Sequence, residues 1–309
     1  MKPSALLVGL LAGLASALLF AGLVTQSSGA VGLALVAPVP VMLASLGWGS
    51  ASGFVAALSA FGAVAAAAGT LNAGFSVLIP VALPAAILGH IAGLARPTEG
   101  ANGQPVLDWF PIRRILFAAA LLAAAACVAL GALIGFDRDE LAPLVADALT
   151  QQGAGADIQS AQVQEIARFV VGAIPFVQPA FLLLTLVICL YVSAAIARAS
   201  GRLQRPRDDL PATAILPRAA LTLFALALAA SFLGGAAGTV AAVLVGALAL
   251  AFTLVGLAAL HRRTRGRGSR TLILFTTYAA IALLSFPLLA FLVLGLFETA
   301  KPPASPASA

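Results

Sequence analysis

The chain has 309 residues, of which 61% are hydrophobic and 9% charged. Soluble domains carry about 25% charged residues, so a soluble globular fold is excluded, and a mean hydropathy of +1.07 indicates an integral membrane protein of many spans. The net charge of +6 is read as membrane topology, and nucleic acid is not an expected partner.

Nine apolar segments follow in order, at roughly 5–24, 30–46, 50–69, 72–95, 112–135, 169–197, 214–233, 237–260 and 271–296. Each approaches the ~20 residues that a transmembrane helix needs. The expected fold is all-α, a polytopic bundle of about nine spans, with eight as the alternative if 30–46 does not fully cross. The first run is longer than the apolar region of a signal peptide and follows a single lysine, Lys2, so it reads as a retained span. Residues 1–297 form one transmembrane domain, and 298–309 a disordered Pro/Ala/Ser-rich tail.

With the N-terminus in the cytoplasm and strict alternation, 14 of the 17 basic residues fall inside, and only Arg138, Arg168 and Lys301 outside. The positive-inside rule demands such a bias. It places 136–168 and the C-terminus outside a bacterial inner membrane. The insertion 136–168 reads as an amphipathic hairpin capped by Asp137, broken at Gly153-Ala154-Gly155; a lid over an outward-facing site is the sharper alternative. The basic loop 261–270 reads as facing anionic lipids.

Prolines cluster in three spans, as Pro38/Pro40, Pro80/Pro84 and Pro175/Pro179. Broken helices in transporters place backbone carbonyls at a substrate site. Asn72, Ser76, Gln178 and Thr185 are the neutral polar groups beside these breaks, and His90 lies near the inner end of its span. All of these are candidate solute-lining or kink positions, although transmembrane helices also tolerate proline for packing alone. Gly9, Gly13, Ala17 and Ala21 form a small-residue face on the first span, suited to close helix packing, either internal or towards a partner.

Chemistry of other kinds is not supported. No Asp or Glu lies inside a predicted span, which argues against a self-contained proton-driven pump. Phosphate-loop and zinc-protease motifs are absent. Ser76 and His90 are about 21 Å apart along one helix, too far for a nucleophile and its base. Cys127 and Cys189 read as buried free thiols. No catalytic, cofactor-binding or metal-binding residue is assigned.

Pro38-Val39-Pro40 with Gly47-Trp48-Gly49, Leu83-Pro84-Ala85, Arg96-Pro97, Trp109-Phe110-Pro111, Leu216-Pro217-Arg218, Gly256-Leu257-Ala258 with His261, and Tyr278 resemble the YybS-like family of bacterial membrane proteins. That family is in turn similar to the substrate-binding components of energy-coupling-factor transporters. The resemblance implies a small-solute-binding membrane component that lacks its own ATPase and works with a coupling subunit or ATPase. It also implies that the small face of the first span could dock such a partner. The alternative is a structural or assembly protein of the cell envelope with no solute.

Overall fold

The computed structural model describes residues 3–22, 28–100, 103–151, 160–284 and 286–301. Helix α1 is Pro3–Ala21. The second segment is two helices, α2 (Ser28–Leu35) and α3 (Pro38–Trp48). Proline is tolerated in a first helical turn because its missing N–H has no intrahelical partner there, so the chain breaks before Pro38, with Ala37 N–H donating to Ala34 C=O at 3.2 Å. Helix α4 (Ser50–Ala68) follows.

The fourth segment is α5 (Leu71–Val77), a π turn at Leu78–Ala82 and α6 (Leu83–Ala92). The π turn contains Pro80 and re-registers the ladder, so Leu83 N–H reaches Leu78 C=O five residues back. Wide turns of this kind accommodate a helix interruption without unwinding it.

A β-hairpin follows that the apolar pattern does not reveal: β1 (Ala95–Glu99) pairs antiparallel with β2 (Pro105–Trp109), with Arg96 opposite Asp108. Next come α7 (Ile112–Ile134), α8 (Arg138–Gln151) and the 40-residue α9 (Ser160–Ala199), which runs unbroken through Pro175 and Pro179. Asp137 accepts from Asp139 N–H at 2.8 Å and so caps α8. Helix α8 packs on the first turns of α9 through Ala146, Val163 and Ala167. The expected break at 153–155 lies outside the described residues. The chain closes with α10 (Leu210–Thr213), α11 (Ala219–Ala230), α12 (Gly235–Arg263), α13 (Arg270–Leu284) and α14 (Pro287–Ala300).

Among the described residues, seven helical stretches are long and apolar enough to cross a membrane: Pro3–Ala21, Val31–Trp48, Ser50–Ala68, Leu71–Ala92, Ile112–Ile134, Ala161–Ala199 and Gly235–Arg263. The seventh and ninth predicted segments are shorter than expected. Helix α11 spans about 18 Å, α13 about 22 Å and α14 about 21 Å at 1.5 Å per residue, against a hydrocarbon core of about 30 Å. The ninth segment divides before Pro287, which opens α14 in its first turn, where its missing N–H has no intrahelical partner to lose.

Helices α12 and α14 run parallel. Gly256 lies against the backbone of Phe291 and Gly295 against that of Phe252, and Glu298 reaches Arg262 at 2.5 Å and also Arg263. Ala300 therefore lies at the same end of the bundle as the 261–270 loop, not at the opposite end as strict alternation requires. Residues 298–300 are helical, not part of a tail; 302–309 lie outside the described residues.

Helix packing relies on small residues. Cβ atoms built on Gly9 and Gly13 would stand 2.7 Å from Ser52 C=O and 2.3 Å from Ala56 C=O. Ser52 and Ser59 of α4 donate to Ala5 and Leu10 C=O of α1, both at 2.9 Å. The face of Gly9, Gly13 and Ala17 is thus buried internally against α4, while Ala21 is exposed. Ser45 of α3 sits between Gly53 of α4 and Gly89 of α6, with a built Cβ 2.6 Å from its own in both cases.

A Gly13→Val substitution would force α1 off the α4 backbone. It should lower stability by about 1–3 kcal/mol in detergent-solubilised thermal unfolding. Gly62→Ala, where nothing lies within 4 Å of the added atom, should leave the midpoint unchanged. Reporter domains inserted at Gly266 and fused after Ala309 should give the same sidedness in whole cells; opposite sidedness would contradict the parallel α12–α14 pair.

Candidate functional site

The basic residues mark one end of the bundle. Arg202 stacks on Trp48, 4.2 Å from the ring centroid, joining the segment after α9 to the end of α3. Arg205 is buried; it bonds Asp208 at 2.7 Å and donates to Ala92 C=O at 3.1 Å, so the connection before α10 is tied to the end of α6. Arg262 donates to Pro211 C=O at 3.0 Å, and Arg265 forms a two-pronged pair with Asp209. Arg218 donates to Ala300 C=O at 3.4 Å. Glu298 is buried and receives Arg262, Arg263 and Lys301. A carboxylate there is compensated by cations reaching down from the rim, as a buried charge requires.

The Arg265 guanidinium bonded to Asp209 holds that carboxyl below the usual carboxylate range. A lowered folded-state pKa means this pair contributes above the ordinary carboxylate pKa and is lost as acid titrates the folded form.

At this end lies an open cavity of about 1040 Å³. Its inner wall is apolar: Leu88 from α6, Ile115 and Leu116 from α7, Val187 and Leu190 from α9, and Leu254 from α12. Its rim is ionic: Arg198, Arg205, Arg207 and Arg265, with Asp208, Asp209 and His261. His261 shares a hydrogen bond of 2.8 Å with Tyr278 of α13. The volume is at the upper end of small-molecule sites, and an apolar wall with few polar groups is their usual composition.

None of the sequence-predicted candidates lines this cavity. Pro38, Pro84, Pro175 and Pro179 are buried in helix contacts, and Pro40 and Pro80 are half-buried. Asn72 and Gln178 are exposed. Ser76 bonds its own helix at Ala73 C=O, 2.7 Å, and Thr185 bonds Phe181 C=O, 3.0 Å. His90 Nδ1 lies 2.6 Å from Ser50 Oγ and links α6 to the start of α4. These residues are not gathered at one place. Cys127 and Cys189 are buried free thiols; Cys189 Sγ lies 3.3 Å from Leu35 C=O. The α8–α9 hairpin stands at the opposite end and covers nothing here.

The residues that sequence reasoning missed are Arg198, Arg205, Arg207, Asp208, Asp209 and Arg265. Their signal was an acidic pair, Asp208-Asp209, placed within an otherwise basic inner segment. Replacing Arg205 with alanine leaves Asp208 unpaired and unties the 200–214 connection. It should cost about 3 kcal/mol in thermal unfolding and increase proteinase K cleavage within 200–214. Arg207→Ala, at an exposed residue with no described ion pair, should stay within about 0.5 kcal/mol of the parent chain.

No family model, curated protein or solved structure matches this chain.

Proposed function

We propose that the chain is a transporter-like, small-solute-binding protein of the bacterial inner membrane, without a motor of its own, and that its binding site is the cavity at the basic end. The observation that carries this reading is the combination of an apolar inner wall with an ionic rim in a cavity of about 1040 Å³. Packing in helical membrane proteins is otherwise close, and an open volume of this size walled by α6, α7, α9 and α12 is what a solute site needs.

Charge distribution supports the orientation. Of the 16 basic residues described, all but Arg138 and Arg168 belong to the end that carries the cavity. The positive-inside rule puts that end in the cytoplasm. In this reading the N-terminus, the basic loop and the C-terminus are cytoplasmic, α8 is outside, the seven long helical stretches and the shorter α11 cross, and α13–α14 form a hairpin that enters and returns. Loop 261–270 faces anionic lipid. A coupling subunit or ATPase remains the partner implied by the resemblance to energy-coupling-factor components. Since α4 occupies the face of Gly9 and Gly13, that partner would meet another surface, and the cytoplasmic rim is the nearest one to the cavity.

The second reading is a structural or assembly protein of the envelope. It is favoured by the proline-rich spans, where Pro38, Pro84, Pro175 and Pro179 are packed in helix contacts and open no cavity.

Affinity purification from native membranes combined with uptake profiling of a deletion strain separates the two. The solute reading expects a co-purifying coupling subunit or ATPase and an uptake defect that the cavity-filling variant Ala258→Phe does not restore. If no such subunit co-purifies and the deletion strain takes up solutes normally, the reading fails.

A further inference from the structure

We propose that the cavity at the basic end takes an anionic amphiphile, a molecule with one phosphate- or carboxylate-type head and an apolar body, its head held by Arg198 and Arg207. This rests on the reading of the cavity as a binding site.

The argument begins with the charges on the rim. Four arginines and two aspartates border the cavity. Arg205 is committed to Asp208, and Arg265 to Asp209. Each pair is formally neutral. Arg198 and Arg207 have no hydrogen bond or ion pair among the described residues, so the rim carries a formal surplus of two positive charges. Arg198 stands out further, because its Nε is shielded from solvent without an acceptor. Buried donors in native structures are normally paired, and one that is not calls for an explanation. A ligand oxygen would supply the missing acceptor. Guanidinium groups bind phosphate and carboxylate with short, charge-assisted bonds, whereas the same surplus repels cations.

The wall sets the rest of the ligand. Arg198 stands near the end of α9, and Val187 and Leu190 line the same cavity from the preceding turns of that helix. Ile115 and Leu116 of α7 and Leu254 of α12 join them. A head at Arg198 therefore has its attached body directed along an uncharged wall. A free inorganic anion would leave that wall in contact with water, and a neutral lipid tail would leave the two arginines unpaired. The anionic amphiphile satisfies both halves. Such chemistry could come from a lipid of the inner leaflet or from a soluble organic acid or phosphate ester.

The test uses the full chain in detergent and a fluorescent anionic amphiphile, 11-(dansylamino)undecanoate, beside its uncharged methyl ester. The acid should bind at least tenfold more tightly than the ester. Arg198→Gln should weaken the acid about tenfold or more, the scale of one charge-assisted contact, and leave the ester unchanged. Arg113→Gln, at an exposed residue of the same end that does not line the cavity, should change neither. Displacement of the acid by hexyl phosphate or by phosphatidylglycerol supports the proposal and identifies the source as soluble or bilayer; displacement by neither overturns it. Equal binding of acid and ester, both lost in Ala194→Phe or Ala258→Phe, would overturn the anionic ligand while leaving a solute cavity in place. Binding that neither cavity-filling variant affects would overturn the cavity reading as well.

Discussion

A cation at the centre of a membrane helix costs roughly 2.5–3.5 kcal/mol on insertion scales, and the architecture of this chain depends on avoiding that cost. Arginines occur where helices end, and the chain then uses them. Arg202 on Trp48, Arg205 on Ala92 C=O and Asp208, Arg262 on Pro211 C=O, and Arg265 on Asp209 join separate elements at one end. The same charges that orient the bundle thus hold its connections together. Glu298 shows the converse. It is an acid on a buried helical turn, and it is accommodated because Arg262, Arg263 and Lys301 converge on it. That cluster turns the last helix back towards the basic end.

Below the rim, cohesion comes from close approach. Lipid tails are as apolar as leucine, so helices gain little from hydrophobic burial against each other and more from tight contact. Gly13 on the backbone of Ala56, and Gly256 with Gly295 on the α12–α14 contact, bring main chains together where a methyl group would collide. Serines add interhelical bonds at these contacts, as Ser52 to Ala5 and Ser16 to Ala37 show. The cavity opens at the basic end, where Leu116 of α7, Leu190 of α9 and Leu254 of α12 line it.

Much of the helical architecture was legible in the sequence. Hydropathy marks the seven long helices because a bilayer imposes one length, and the asymmetry of the arginines marks which ends lie together. The hairpin at Ala95–Trp109 was not legible as a membrane feature; its signal was the opposed charges Arg96 and Asp108 flanking a Gly/Pro-rich turn. The division of the last segment was hidden because Pro287 interrupts an apolar run without changing its hydropathy. The site was less legible than the fold. Proline and neutral polar residues drew attention to Pro80, Ser76 and His90, but the π turn, Ala73 C=O and Ser50 satisfy those groups locally. The charge left on the cavity rim depends on which arginines already have partners. That is a property of pairing across elements far apart in the chain, and spacing does not encode it.

The most direct test of this account is a high-resolution structure of the chain reconstituted in native-lipid nanodiscs. The account predicts elongated density along Leu116, Leu190 and Leu254, with its head within hydrogen-bond distance of the Arg198 guanidinium. A cavity closed by inward movement of α9, with Arg198 paired to a protein carboxylate, would contradict it.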